Sequence, residues 1–277
     1  MPTKNMSIEV KNSPTSTKTA TGVAEWANKS LNIQKGCEHN CIYCYAKQQL
    51  VRVNHVKRED WENPVILNDK IKENYRLNEH YVMFPTSHDI TPRNIDDVMN
   101  LLHRYLAPGN KMLIVTKPHY DCMERMTKEL SEFKNQIEFR LTIGSTDDSI
   151  LKFWEPGTAS IGERIESLKL AYKKGYNTSI SSEPMLDGDP YSIYKQTEKY
   201  RTGDHWFGLL NSRTKGIISI NTGCKQTKHH AALEKLRIIQ NDDFIIALYN
   251  HFKDNPKVKW KDEVSKRLFH LGIFAAA

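Results

Sequence analysis

Cys37, Cys41 and Cys44 are spaced C-x3-C-x2-C, so three of the five cysteines fall on one short stretch. Thiolates so close together can share one soft metal centre, and thiolate ligands select zinc or iron–sulfur. A [4Fe–4S] cluster is normally held by four cysteines. Three leave one iron without a protein ligand, open to a substrate or cofactor. The other reading is a structural zinc site in which His39 completes a Cys3His set. His39 sits between two of the cysteines, whereas zinc modules generally use two separated ligand pairs, which weighs against it. Cys122 and Cys224 are all that remain, too few for a second cluster.

The rest of the chain must supply a scaffold for such a centre. Its 277 residues suit a single α/β barrel. At 39% hydrophobic residues it can bury a sizeable core. The longest apolar runs, Met112–Val115 and Phe244–Leu248, are too short to cross a membrane. Residues 1–30 lack the apolar middle of a signal peptide. A cytoplasmic setting is therefore expected, and an odd number of cysteines there suits a metal site better than disulfides. The formal charge of +7 permits a phosphate-bearing partner such as DNA or RNA. The charges are spread among Glu and Asp, however, so a solvated basic surface is an equal reading.

Strand and helix signals alternate about six times. Leu31–Gln34 alternates apolar and polar residues and Gly36 breaks it, opening the cysteine loop. Ala46–Val53 reads as a short helix. His80–Phe84 is a strand leading into Thr86, Ser87 and Asp89, and Lys111–Val115 is a strand leading into Thr116 and Lys117. Ile137–Ile143 leads into Ser145, Asn177–Ser181 into Glu183, and His205–Leu210 is the sixth strand. Between them, Ile95, Val98, Leu102 and Tyr105, then Met123, Met126 and Leu130, then Ile161, Ile165, Leu168 and Tyr172, recur at helical spacing. This order implies a parallel sheet with right-handed crossovers. The expectation is a partial (β/α)6 TIM-type barrel over 30–224. An N-terminal arm over 1–29 precedes it, and a helical extension over 225–277 follows. Ligands of such folds bind at the carboxyl ends of the strands, and there the cysteine loop, Thr86, Ser87, Asp89, Lys117, Ser145 and Glu183 collect.

The C-x3-C-x2-C motif after a first strand, the aromatic Tyr43 before the third cysteine and the βα repeats resemble the radical S-adenosylmethionine (radical SAM) enzymes. The stretch Gly36–Ala46, Pro85-Thr86-Ser87-His88-Asp89, Thr116-Lys117 and Glu155-Pro156-Gly157 leading to Arg164 resemble the spore photoproduct lyase-like branch. The resemblance spans roughly 30–210. It implies a [4Fe–4S] cluster on Cys37, Cys41 and Cys44 with S-adenosyl-L-methionine on the open iron, reduced by an external one-electron donor of flavodoxin or ferredoxin type. It places Tyr43 along the adenine and Thr86 and Ser87 near the methionyl amine. Lys117 falls near the methionyl carboxylate, and Thr142 near the methionyl or ribose end. Photoproduct lyases carry a cysteine directly before the Thr-Ser pair, where it returns a hydrogen atom; here that position is Pro85. Tyr45 matches the tyrosine after the third cysteine. Cys122 and Cys224 are the available substitutes for the missing hydrogen donor.

Each assignment has a plainer counterpart. Tyr43 and Tyr45 could simply pack the loop, Lys117 could form a surface ion pair, and Cys122 and Cys224 could be inert thiols. His229 and His230, pointing about 100° apart on a helix, do not form one metal face and read as exposed. Lys253–Lys261 is basic with Trp260 interleaved, suited either to nucleic acid or to a loop with Trp260 docked inward. The function expected is radical SAM chemistry on a nucleic-acid or nucleoside-type substrate. The alternatives are modification of a peptide or small metabolite, or a zinc-stabilised nucleic-acid-binding module that is not an enzyme.

Overall fold

The computed structural model describes residues 22–274; residues 1–21 of the expected arm lie outside it. In chain order the strands are β1 (Lys29–Ser30), β2 (Gln34–Lys35), β3 (Val65–Ile66), β4 (Val82–Phe84), β5 (Met112–Thr116), β6 (Ile137–Thr142), β7 (Asn177–Ser182), β8 (His205–Phe207) and β9 (Val258–Trp260). Seven of them form one sheet in the order β1-β4-β5-β6-β7-β8-β9. Every pairing in it is parallel. The sheet curls into a partial TIM-type barrel. β2 and β3 pair antiparallel as a separate ribbon under the cysteine loop.

Helices α1 (Tyr45–Arg52), α2 (Asn68–Lys72), α3 (Ile95–Leu106), α4 (Tyr120–Glu129), α5 (Asp148–Trp154), α6 (Ile161–Lys173) and α7 (Pro190–Thr197) return the chain between strands. After β8 come α8 (Thr214–Thr222), α9 (Lys228–Ile239), α10 (Asp242–Phe252) and α11 (Asp262–His270). Several of their starts are marked by polar caps. The Ser160 hydroxyl accepts from Glu163 N–H ahead of α6, and Asp189 accepts from Ser192 N–H with Pro190 in the first turn of α7.

Alternation along the strands divides the protein into two layers. Val82, Phe84, Met112, Ile114, Ile137, Phe139, Leu141 and Ile180 face outward and pack against Val98, Leu102, Met123, Met126 and Leu168 of the helices. Full burial of one such side chain contributes about 1.5–3 kcal/mol. The opposite, concave face is more polar. Strand register stacks it in layers: Met83, Leu113 and Glu138 lowest, then Val115, Arg140 and Ser179, then Thr142, Ser181 and Trp206 nearest the carboxyl ends.

Two expectations change. The first sheet strand is Lys29–Ser30, not Leu31–Gln34. Leu31 N–H still bonds Met83 O, but Gln34 and Lys35 turn away to pair with β3. The alternation of apolar and polar residues ran across both segments and did not mark the bend. The segment after 225 is not wholly helical, because Val258–Trp260 adds β9 to the sheet beside β8. Three residues are too few to carry a period, and Trp260 packs on Phe207 across the two strands.

Candidate cluster and cofactor site

The cysteine loop begins at Gly36, whose φ of +95° suits glycine. A Cβ there would also lie 2.7 Å from the Trp61 carbonyl oxygen. The same carbonyl accepts from Cys37 N–H at 2.8 Å, so the loop is anchored where it opens. Cys44 ends it as the N-cap of α1, its sulfur accepting from Lys47 N–H at 3.4 Å. The middle is held from two sides. Gly157 packs so closely under the loop that a Cβ would overlap the Glu38 carbonyl, and its N–H donates to His39 O at 3.1 Å. From α8, the Asn221 amide donates to Ile42 O at 3.0 Å and Cys44 O at 2.9 Å.

Cys37 and Cys41 are buried and Cys44 is partly so. Burial pushes the Cys37 thiol up to about 12, with Asp89 and Cys44 adding to it. Burial also raises Cys41 well above the ordinary thiol range, and raises Cys44. Three thiolates in this position need a cation to stabilise them. Among the described residues no set of three His, Cys, Asp or Glu side chains closes to metal-ligating distances, although the three thiols are near enough to raise one another's pKa. His39 does not complete a zinc set. Its Nε2 lies 2.9 Å from His119 Nε2 and its Nδ1 lies 3.2 Å from Asp89 Oδ2, so both nitrogens face away from the thiols. Three soft sulfurs without a fourth ligand fit a cluster with one open iron.

The strand ends contribute the polar surroundings. Asp89 accepts from the Thr116 hydroxyl at 2.5 Å, from Lys117 N–H at 3.1 Å and from Ile90 N–H at 2.8 Å. Burial works against its charge, but His39, Lys117 and Thr116 more than offset this and hold the carboxyl well below the usual range. Asp89 therefore ties the cysteine loop to the ends of β4 and β5. Lys117 is half-buried. Burial opposes its charge too, yet Cys41, Glu155 and Asp89 outweigh it and raise the pKa. The ammonium thus stays charged beside the thiols, ready for a carboxylate.

Tyr43 donates its hydroxyl to Glu155, which pairs with Arg164 at 2.6 Å with both side chains fully buried. Arg164 also donates to Ala159 O at 3.0 Å, Thr142 O at 3.1 Å and the Thr158 hydroxyl at 2.5 Å. Burial opposes the Glu155 charge, but Arg164 and then Lys117 keep its pKa low. Thr86 and Ser87 are positioned by Asn32, whose Oδ1 accepts both backbone N–H groups at 2.8 Å. The Asn32 amide donates to the Thr86 hydroxyl at 2.8 Å. Tyr45 donates to Thr86 O at 2.6 Å. Thr142 and Ser145 are buried at the top of β6, the Ser145 hydroxyl accepting from Asp147 N–H. Glu183 lies 3.4 Å from Lys261 across the sheet; burial raises its pKa to about 7 despite Lys261.

The other expected residues lie apart. Cys122 is on α4 within the outer core, and burial lifts its pKa to about 12. Cys224 is exposed just after α8, its thiol donating to Gln226 O. His230 is buried in the capping box of α9 and His229 lies against Phe153 with ring centroids 4.3 Å apart, so neither is the exposed histidine expected. Asn32, His119 and Asn221 carried no motif signal; each acts through a partner far away in sequence.

The Radical SAM superfamily family model matches residues 31–198. The chain belongs to the radical SAM superfamily. Radical SAM proteins use a [4Fe–4S] cluster and S-adenosylmethionine. Among curated proteins, the chain is 27% identical over 192 residues to the uncharacterized protein MJ0683 of Methanocaldococcus jannaschii, covering 65% of this chain and 70% of that one. It is 26% identical over 176 residues to the uncharacterized protein ORF301 of Acidianus two-tailed virus, covering 58% of this chain and 56% of the viral one. The match thus spans little more than half of the viral relative. Among solved structures, Streptococcus suis SuiB bound to precursor peptide SuiA matches with a TM-score of 0.52 at 14% identity, covering 90% of this chain and 52% of SuiB. A spore photoproduct lyase variant matches with a TM-score of 0.47 at 14% identity, covering 83% of this chain and 75% of the lyase. At 14% identity the likeness to SuiB is one of fold.

Proposed function

We propose that this protein is a radical SAM enzyme acting on a nucleic-acid or nucleoside-type substrate. Cys37, Cys41 and Cys44 would hold the cluster, and Lys117, Thr86, Ser87 and Thr142 would orient the S-adenosylmethionine. The bound pair would supply one-electron cleavage of a sulfonium C–S bond and, from it, hydrogen-atom abstraction from substrate. The chain's own contribution is placement. Asp89 and Glu155 keep Lys117 charged, Asn32 presents the Thr86-Ser87 backbone, and Gly157 seats the loop.

The observation that carries the substrate class lies on the concave face. Arg140 is flanked by Trp26 at 4.8 Å and Trp206 at 5.5 Å. It also donates to Ser179 and Glu138, both at 2.9 Å. Arg140 Nη1, Trp26 Nε1, Trp206 Nε1 and Ser181 Oγ are buried without a hydrogen-bond partner among the described residues. The Trp26 ring is already stacked by Arg140 and Lys261, but buried N–H donors and a hydroxyl left open in this way suit a ring with carbonyl acceptors, as a nucleobase provides. The net charge of +7 is compatible with a phosphate-bearing partner.

The test is anaerobic reconstitution followed by dithionite-driven turnover with DNA and RNA oligonucleotides, nucleosides and peptides in parallel. 5′-Deoxyadenosine formation stimulated by an oligonucleotide or nucleoside, and abolished by Cys41→Ala, is the expected result. Stimulation by peptides alone would replace the substrate class with the one seen in the SuiB complex. No S-adenosylmethionine cleavage by fully loaded protein would overturn the enzyme reading.

A further inference from the structure

Resting on that reading, we infer that the end of α8 and the turn into α9 form the docking surface for a small acidic one-electron carrier protein. Radical SAM enzymes need an electron donor, and beyond the cysteine loop only Cys122 and Cys224 remain, too few for a second cluster. The electron must therefore come through the protein surface.

Three observations point to this surface. First, α8 is in direct contact with the ligand loop. The Asn221 side chain bonds the carbonyls of Ile42 and Cys44, and Cys44 is the least buried of the three cysteines. Gly223, Cys224, Lys225 and Gln226, directly after this contact, are all exposed. A short route thus joins open surface to a ligand thiol, and it enters from α8 rather than from the strand ends bearing Thr86, Lys117 and Thr142.

Second, the charge is one-sided. Between Asp204 and Glu234 the chain has no acidic residue, and Arg213, Lys215, Lys225 and Lys228 in that interval are all exposed. Arg58 joins them from the loop after α1, its Nε donating to Ile220 O at 2.7 Å and its guanidinium lying against Gly223. Glu59, Asp60 and Glu62 are the acidic residues on that loop, and Glu62 is the one nearest the cysteine loop. It accepts from Asn40, which also accepts from Lys47 Nζ at 2.7 Å, so its charge is countered locally.

Third, the surface is built rather than loose. Thr227 and His230 form the capping box of α9, the Ser219 hydroxyl meets His230 Nε2 at 2.9 Å, and Lys228 Nζ stands 5.3 Å over the Phe153 ring. Fixed positive charge on a rigid turn favours an acidic protein partner that must dock and leave repeatedly. One electron crosses, oxidising the carrier by one and reducing the cluster by one; no atom or proton is exchanged.

The experiment compares wild type with Lys215→Glu/Lys225→Glu/Lys228→Glu, driving S-adenosylmethionine cleavage either with a reduced flavodoxin or with dithionite. Thermal melting checks that the variant is folded. The expected result is a KM for flavodoxin raised about tenfold or more, with a weaker salt dependence, and an unchanged dithionite-driven rate. An unchanged KM overturns the inference. So does an equal loss with both reductants, which would mark a structural role, or a selective loss of oligonucleotide binding, which would mark a nucleic-acid footprint. Titration of oxidised flavodoxin against both proteins reads docking without turnover. Charge-dependent binding in a protein that cleaves no S-adenosylmethionine would sustain the surface while sinking the proposed function.

Discussion

His39 and His119 face each other Nε2 to Nε2 at 2.9 Å, so one ring must donate and the other accept. Asp89 Oδ2 lies 3.2 Å from His39 Nδ1 without hydrogen-bond alignment, and its negative charge favours the proton on that nitrogen, with His39 Nε2 as the acceptor from His119 N–H. Burial, then His39, lowers the His119 pKa and keeps that ring neutral. Glu163, 3.7 Å from His119 Nδ1, ends the row. His119→Phe removes the donor and frees His39 to swing. His39 sits in the cysteine loop without being a ligand, so cluster loading is expected to weaken by no more than about 10-fold, the lower end for direct partners of metal ligands. Iron and sulfide content with the low-temperature EPR spectrum of the reduced protein measures this; an unaltered content and spectrum would reject the role.

Asn32 braces the Thr86-Ser87 turn rather than the cysteine loop. Its side chain fixes the Thr86 and Ser87 backbone, so Asn32→Ala should leave iron content intact and weaken S-adenosylmethionine binding about tenfold or more. Equilibrium binding to the reconstituted variant decides the point, and loss of iron instead would move Asn32 into the support of the loop.

The buried Glu155–Arg164 pair predicts an asymmetry. Arg164→Met strands a buried carboxylate and should cost about 3–5 kcal/mol, whereas Glu155→Gln with Arg164→Met together should cost less than Arg164→Met alone. Denaturant unfolding of the metal-free proteins provides the comparison. Equal losses in the two would mean that the charge pair itself is not what matters.

His88 makes the fold acid-sensitive. Its Nε2 accepts from Ile33 N–H at 3.1 Å, and burial lowers its pKa to about 4 from 6.5. The folded state therefore binds fewer protons than the unfolded state between these values. The stabilisation is complete above pH 6.5 and is lost as pH falls towards 4, by up to about 3 kcal/mol. Unfolding free energies across this range should show a slope that His88→Asn reduces.

The barrel and its cysteine loop were legible because both depend on local pattern. Strand–helix alternation and the C-x3-C-x2-C spacing survive in one dimension, and so did the gathering of Thr86, Asp89 and Lys117 at strand ends. What the pattern missed was long-range. Asn32 and Asn221 are ordinary polar residues until the fold brings them to Thr86 and Cys44. Trp260 and Val258 form a strand only because β8 offers an edge. His39 looked available to a metal because its sequence neighbours are cysteines, while its actual partners, Asp89 and His119, are 50 and 80 residues on (a separation of 80 for the latter pair).

Lys261 bonds Gly22 O at 3.1 Å and Glu25 at 2.9 Å and lies 4.1 Å over Trp26, joining positions 239 residues apart. That contact sets an order of events during synthesis. Cys37, Cys41 and Cys44 leave the ribosome early, but the segment carrying Trp26 cannot be held until residue 261 has followed. A nascent chain therefore has its three loop thiols, the proposed iron ligands, long before Lys261 ties positions 239 residues apart together.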